Sequence, residues 1–496
     1  MPLPTIPSGN VFSSLPTGYN IDNSCRMTRG SSTKFERTIS SDGTDPKKWT
    51  LNYWMKRGTV NASESMAMLF NKNSGGTRVG NAGELNANNK LYFYNYDGSG
   101  EPATITSAVL RDPSAWYNIH LIWDTANATA GDRMRTFING TEVTAFDTDT
   151  NPPLNEESML FEGSQCTKLS IGYHPYNNSM YFDGYIAQVI ACDGQAYLPT
   201  KFGEFNEDSP TIFQPIDPSK ESLSFGTHGF WLDFKDSSAL GNDVSGNNND
   251  FTPANLDATD QSTDSPTNNF CVFNVLNPSF NGTVSEGNCK QVSTSSAWRA
   301  IYGTIPFTTG KFYAEFKMVA DGSSAGPGVI NIDTIAGVDT FRYDETNRGL
   351  GQMENAVAYL SNAQILDGGN TIKTGQTTWT DGDILGVAVD ATNGFVYWHK
   401  NGTYLDGAKT GTDVGDPTSA GSGTGGYPLA DLISANGTYL FGVGGDDAWN
   451  VEANFGGCPA FTVSSANADA NGYGKFEYSV PSGYYALCTK NLAEFG

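Results

Sequence analysis

Apolar and polar residues alternate along Lys48-Trp49-Thr50-Leu51-Asn52-Tyr53-Trp54-Met55-Lys56, so Trp49, Leu51, Tyr53 and Met55 fall on one side of an extended chain. The same two-residue period runs through Gly310 to Lys317, with Phe312, Ala314 and Phe316 on one face and Tyr313 and Glu315 on the other. Ile384 to Asp390 and Phe395 to Lys400 form a third pair of runs, separated by Asn393-Gly394 and ended by Asn401-Gly402. An Asn-Gly pair between two such runs predicts a tight hairpin. Shorter runs at Leu91–Tyr94, Trp116–Asp124, Met134–Ile138, Lys168–Ile171, Tyr181–Val189, Tyr439–Val443 and Val451–Phe455 predict further strands. Asn-Gly occurs six times and Asp-Gly eight times, a density of turn pairs that suits many short antiparallel strands. No amphipathic helix longer than a few turns is evident. The expected fold class is all-β, with two antiparallel β-sandwich, jelly-roll-like domains joined by an irregular connector.

Four segments follow from the pattern. Residues 1–30, rich in Pro, Ser, Gly and Asn, read as an extended N-terminal arm that orders by docking on a neighbour or on the body. Residues 31–205 make a first sandwich and 270–496 a second, closed by a C-terminal segment that returns beside Phe270 to Val275. Residues 206–269 lack periodicity but carry Phe230, Trp231, Phe234 and Phe251, which a flexible linker would not need; they read as a connector packed between the two. Gly411 to Gly426, nearly all Gly, Ser, Thr, Asp and Pro, reads as a mobile surface loop. Asn401-Gly402-Thr403-Tyr404-Leu405 recurs at Asn436 to Leu440, and two similar hairpin ends account for the echo.

The strands of residues 31–205 resemble, in order, those of laminin-G/pentraxin-like domains of the concanavalin A-like superfamily: the Trp49–Lys56 strand, the Trp116–Asp124 strand, the Phe137-Ile138-Asn139-Gly140 hairpin, Ile171-Gly172 and Gly184–Val189. The second half resembles SPRY (B30.2-like) domains in Gly310–Phe316, in the hairpin from Gly382 to Gly402 and in Asn454-Phe455-Gly456. The connector, with Gly229-Phe230-Trp231-Leu232-Asp233-Phe234 and Asp264-Ser265-Pro266-Thr267-Asn268-Asn269-Phe270, resembles the joint between these two modules in structural proteins of marine tailed bacteriophages. These resemblances imply a binding protein, not a catalyst.

Composition narrows the partners. With 53 acidic and 29 basic residues the formal net charge is −24, which repels nucleic-acid phosphates and leaves no basic cluster to override that. The seven cysteines are scattered without metal-ligand spacing, and Cys271 with Cys289 is the one pair considered for oxidation. Met1 to Pro7 lacks the charged and apolar regions of a secretory signal, and no run of 18 apolar residues exists, so folding in a cytoplasm without membrane insertion is expected. A virion made in the host cytoplasm fits that composition.

The chemistry of catalysis is sparse. Glycoside hydrolysis needs two placed carboxylates, and on this fold the expected E-x-D-x-x-E strand is absent; Glu315 stands beside Lys317 and Glu477 is isolated. Gly322-Ser323-Ser324-Ala325-Gly326 matches a nucleophile-elbow pattern, but Pro327 and Gly328 follow where a helix is needed, so a turn is expected. His399 at a hairpin end reads as structural. The loop after Gly172 is the candidate ligand surface, with Tyr173, His174, Tyr176, Asn177 and Tyr181, joined in the second domain by Tyr404 and Trp449. No cofactor is required; Ca²⁺ is the candidate metal, at Asp124 and Asp183 or at Asp446 and Asp447, with ordinary turn aspartates the competing reading. The sequons at Asn139, Asn281, Asn401 and Asn436 follow from Asn-Gly-Thr hairpins.

The expected function is a non-enzymatic virion structural protein of a tailed phage, a tail fibre or appendage or a capsid fibre, attaching to a host-surface glycan or envelope component as a homo-oligomer among other virion proteins. A purely architectural protein bound only to other virion proteins is the alternative, and a glycan-degrading enzyme the third reading.

Overall fold

The alternating runs become strands whose apolar sides meet across paired sheets. The structure, a computed structural model, describes residues 18–60, 66–73, 75–175, 178–276, 282–294, 297–320, 324–333, 349–353, 355–432 and 437–496. Two compact units divide it, over Thr17–Thr267 and Asn268–Gly496. The fold is nearly all-β, and one seven-residue helix, α1 (Thr489–Phe495), is the α-helix of the described residues.

In the first unit one sheet runs in the order β10 (Thr141–Glu142), β9 (Met134–Ile138), β8 (Trp116–Asp124), β3 (Lys48–Arg57), β13 (Gly184–Asp193), β1 (Ser24–Met27) and β18 (Gln261–Ser262), with β16 (Phe230–Leu232) also on β13. The facing sheet runs β11 (Phe146–Thr150), β7 (Ala103–Val109), β6 (Lys90–Tyr96), β5 (Val79–Leu85), β4 (Met66–Lys72), β12 (Lys168–Ile171), β2 (Lys34–Thr38) and β17 (Thr252–Ala254). A hairpin of β14 (Gly203–Phe205) and β15 (Phe213–Pro215) stands apart. Trp49, Leu51, Tyr53 and Met55 pack in the core against Phe35, Leu69 and Phe93 of the facing sheet.

The other side of β3 is buried too, which alternation alone did not foretell. Residues after 193 cover it: Phe213 stacks on Trp54 at 6.2 Å, His120 packs against Phe202, and Lys56 forms a 2.7 Å ion pair with Asp264. The segment expected as a connector therefore belongs to the first unit, contributing β16, β17 and β18 to its two sheets. Its polar run folds on itself: Asp243 accepts from the backbone of Trp231, Ser245 and Asn249, while Asn247 and Asn249 both donate to the Gly229 carbonyl. The expected arm is likewise drawn in. Residues 1–17 lie outside the described ones, but Ser24–Met27 pairs with β13 on one side and β18 on the other.

In the second unit one sheet runs β19 (Gly282–Ser285), β20 (Lys290–Ser293), β32 (Asn450–Asn454), β22 (Lys311–Ala320), β27 (Ile384–Asp390), β28 (Phe395–Lys400) and β29 (Thr403–Tyr404). Beside that path, β30 (Tyr427–Pro428) pairs with β28, and β33 (Tyr485–Ala486) runs parallel to β22. The facing sheet runs β21 (Arg299–Tyr302), β31 (Tyr439–Asp446), β23 (Ser324–Asn331), β24 (Ala356–Tyr359), β25 (Ile365–Asp367) and β26 (Asn370–Lys373). Gly394 closes the β27–β28 hairpin at φ +79°, a left-handed angle suited to glycine, and donates to the Asp390 carbonyl. The tail returns to Phe270 through its bridge to Cys488.

Two local expectations change. The Gly411–Gly426 stretch is tied down, with Gly415 donating to Leu405 and Asp416 to Thr424, and its glycines lie on the rings of Phe395 and Tyr397. Ser324 opens a strand, not a turn, while 321–323 lie outside the described residues. All seven cysteines are buried thiols, Cys271 and Cys289 included.

Lys56 and Asp264 are fully buried, and the Trp116 indole donates to the same carboxylate at 3.0 Å. Removing one partner strands a charge away from water, at ~3–5 kcal/mol, whereas removing both costs far less. Asp264→Ala is expected to lower the urea unfolding free energy of the first unit by that amount, and Lys56→Met with Asp264→Leu to recover most of it; equal loss in both variants would show that the pair itself supplies the stability.

Candidate functional site

The outward face of the β4–β5–β6 sheet carries a ladder of tyrosines. Leu91, Phe93 and Asn95 of β6 point inward and are buried, so Tyr92, Tyr94 and Tyr96 line the opposite face, each half-buried. Register sets their neighbours. Tyr94 lies opposite Asn81, and Asn81 opposite Phe70; Tyr92 lies opposite Glu84, and Glu84 opposite Ala67; Tyr96 lies opposite Val79, and Val79 opposite Lys72. Adjacent strands sit ~4.8 Å apart, so each half-buried tyrosine lies beside buried β5 and β4 neighbours on the same side of the sheet. The Tyr92 and Tyr94 rings are 4.6 Å apart at 32°, and Phe70 meets Tyr94 edge-on at 6.3 Å.

Hydrogen-bonding groups stand between these rings. The Tyr92 hydroxyl donates to Glu101, and Asn81 donates to Glu84 at 3.3 Å. The Asn81 side-chain oxygen is buried without a hydrogen-bond partner among the described residues. Burial, and then the nearby Glu101 and Glu84, raise the Tyr92 and Tyr94 phenols above their ordinary value, so both remain protonated donors across the working pH range.

The loop following β12 lies along this face. His174 bridges to Ser179, packs its ring 4.7 Å from Phe70, and is kept neutral by burial and by Lys72. The structure thus brings His174 to the ladder. Tyr173 does not offer the stacking surface expected of it: it is fully buried, Tyr181 stacks on it at 5.6 Å, Lys34 lies 4.2 Å from its centroid, and its hydroxyl donates to Glu36. Tyr181 is half-buried by the same stack. Tyr176 and Asn177 lie outside the described residues. Sequence reasoning treated Tyr92 and Tyr94 only as a strand; the missed signal was tyrosine at three successive same-face positions, where one packed strand needs none.

The remaining candidates scatter. Trp449 is wholly buried in the core between the second unit's sheets and presents nothing outward. Asp124 pairs with Lys48 at one end of β3, whereas Asp183 lies beside Gly58 at the other, ~30 Å away at a strand's rise per residue. They cannot share a cation. Asp183 is occupied by the backbone and hydroxyl of Thr59, and Asp446 accepts from the Asp447 backbone at 3.1 Å. Among the described residues no three His, Cys, Asp or Glu side chains converge as a metal site.

In the second unit the outward face of β22, β27 and β28 holds the residues considered for catalysis. Glu315 lies opposite Gly386, and Gly386 opposite His399. A side chain at Gly386 would collide with the imidazole, its Cβ falling 1.9 Å from His399 Nε2. His399 Nδ1 accepts from the Gly402 backbone, which leaves Nε2–H to face the Tyr313 hydroxyl at 2.6 Å, and that hydroxyl donates to Glu315 at 3.0 Å. Glu315 also accepts from Asn454 Nδ2 and from the backbone of Glu477 and Tyr478. The group is a clamp: a strand carboxylate pins the C-terminal segment to the sheet, and burial holds His399 neutral at about 3. Tyr404 packs edge-on against His399 at 5.3 Å on the same face.

Residues 31–193 match the model of the concanavalin A-like lectin/glucanases superfamily, the part of the chain ending with β13 and carrying the ladder. The first unit thus contains a lectin-like laminin-G/concanavalin A-like domain. Solved structures similar to the chain include the SPRY domain of human HERC1, at 13% identity over 36% of this chain and 94% of its own with a TM-score of 0.24. Domains LG4-5 of the mouse laminin alpha1 chain align at 10% identity over 92% of this chain and 87% of theirs, TM-score 0.29. The native heptameric SAP-like pentraxin of Limulus polyphemus aligns at 13% identity over 36% and 79%, TM-score 0.25. No curated protein matches the chain.

Burial lifts the Glu315 carboxyl from its ordinary 4.5 to about 7, its hydrogen bonds offsetting only part of the rise. The folded state therefore holds that proton more tightly than the unfolded chain, a contribution fully present below pH 4.5 and lost as pH rises through 7. The stability difference between the native protein and Glu315→Gln is expected to change by about 3 kcal/mol between acid and mildly alkaline pH. Denaturant unfolding at both ends of that window reads it, and parallel pH profiles would refute it.

Proposed function

We propose that this protein binds glycans without transforming them, through the tyrosine ladder of its first unit. The observation that carries the reading is the row of three half-buried tyrosines, Tyr92, Tyr94 and Tyr96, on one side of β6, backed by the buried Asn81 and Glu84 and by the neutral His174. Aromatic faces cover the apolar side of a sugar ring while amide, carboxylate and hydroxyl groups bond its hydroxyls. The match of residues 31–193 to a superfamily of lectins and glucanases is compatible with that chemistry.

The fuller reading is a virion structural protein of a tailed phage, a tail or capsid fibre, made in the host cytoplasm and displayed in many copies to attach to the host surface. Its support is the connector sequence, which resembles the joint between the same two modules in such proteins. A single shallow site of this kind binds at about millimolar affinity, near −4 kcal/mol, and multivalent display raises avidity by ~10²–10⁴.

Tyr94→Ala is expected to weaken binding to a responsive polysaccharide on a glycan array about tenfold, ~1.4 kcal/mol, with the unfolding midpoint little changed. Equal binding by native protein and Tyr92→Ala/Tyr94→Ala would sink the reading. Release of reducing ends from the bound polysaccharide would replace it with hydrolysis.

A further inference from the structure

The side chains of Lys56 and Asp264 are 0% and 1% exposed, a tighter seal than the 6% and 11% of Arg26 and Asp260. Register sets Lys56 between two aromatic neighbours on the outward side of its sheet, Trp116 on β8 and Tyr185 on β13. The Tyr185 ring lies 5.9 Å from the ammonium, and the Trp116 and Tyr185 rings are 6.4 Å apart. Asp264 is held by its own backbone: its N–H donates to the Ser262 hydroxyl, and its carbonyl accepts from the Ser24 hydroxyl. An amine and a carboxyl 208 positions apart in sequence are thus fixed 2.7 Å from one another, shut away from water.

As ions, the two groups bear a desolvation cost that their attraction offsets only with further hydrogen bonds. Joined as an amide, they carry no charge to desolvate. Holding the reactants together makes their meeting unimolecular, with effective molarities of ~10⁵–10⁸ M in well-oriented cases. The second carboxylate oxygen, Oδ1, accepts from the Trp116 indole at 3.0 Å, where a developing oxyanion needs a donor.

We propose that Lys56 and Asp264 condense into an intramolecular amide that cross-links β3 to the segment following β18. One ammonium proton crosses the hydrogen bond to Oδ2, leaving an amine beside a carboxylic acid. The nitrogen lone pair attacks Cγ, the new N–C bond forms, and the carbonyl electron pair moves to Oδ1 under the indole N–H. A second proton passes from nitrogen to the Oδ2 hydroxyl, the C–O bond breaks, water leaves, and Oδ1 returns to a carbonyl. Atoms and charge balance with no other reagent. The buried ion pair is the state before this step. The product closes the chain between the two residues into a covalent ring, constraining the unfolded state as a disulfide does, without a bond that reductants open.

Intact-mass spectrometry of the denatured full chain tests the proposal. A fraction of the protein is expected to weigh one water less than its sequence mass. Its tryptic digest should contain one branched peptide joining the segments around Lys56 and Asp264, uncut after Lys56. Lys56→Met with Asp264→Leu should restore the sequence mass. Trp116→Phe, which keeps a ring but removes the N–H, should lower the condensed fraction of freshly purified protein. An unlightened native mass, ordinary cleavage after Lys56, or a loss of water that persists in the double variant, the mark of a cyclised Asp-Gly, would overturn the inference. So would a condensed fraction indifferent to Trp116→Phe. Glycan binding at the ladder is independent of every one of these outcomes.

Discussion

A sandwich sheet has two faces, and only one can meet its partner sheet; what the chain does with the other decides most of this structure. In the first unit the outward side of β3 is sealed by residues after 193, so polar groups there depend on partners within the protein. Lys56 takes Asp264, Asn52 takes Asn118 and His120, and burial pushes His120 down to about 3, keeping it neutral. The opposite sheet is buried on both faces along β4 and β5, and of these three strands only β6 keeps outward positions partly exposed, where Tyr92, Tyr94 and Tyr96 stand.

The second unit meets the same constraint differently. The outward face of β22, β27 and β28 is covered by the chain's own C-terminal segment and glycine-rich loop, and Glu315 is the fixing point because two backbone N–H groups of that segment converge on it. A carboxylate can accept from several donors at once, which an apolar contact cannot replace. The cover is polar where it is clamped and aromatic elsewhere.

The period of two made the inward faces readable from residues alone. Trp49 to Met55 and Phe312 to Phe316 pack as alternation requires, and Asn393-Gly394 turns where its conformational preferences place it. What stayed hidden depended on pairings too short to carry a period: Phe230–Leu232, Thr252–Ala254 and Gln261–Ser262 have three, three and two residues, yet they stitch the supposed connector into both sheets. Candidate ligand residues failed for a related reason. Tyr173 and Trp449 look exposed in a polar stretch of sequence, and only the third dimension shows a stacked Tyr181 over one and a closed core around the other. Asp124 and Asp183, taken together as a candidate cation site, lie beside opposite ends of the ten-residue β3.

Charge then limits what the tyrosine-bearing face can take. A net of −24 disfavours anionic polymers at any distance the solvent does not screen. Near the ladder, Lys34 and Lys168 both pair with Glu36, so those ammonium groups are already answered before a ligand arrives. A sulfated or uronic chain would have to break that pairing and cross the acidic field. A neutral sugar would meet neither cost: rings would cover its apolar face, and hydroxyl-for-water exchange at the half-buried tyrosines is nearly even in energy. At the proposed glycan site, preference for uncharged sugars would follow from how these carboxylates are satisfied, before any detail of sugar stereochemistry enters.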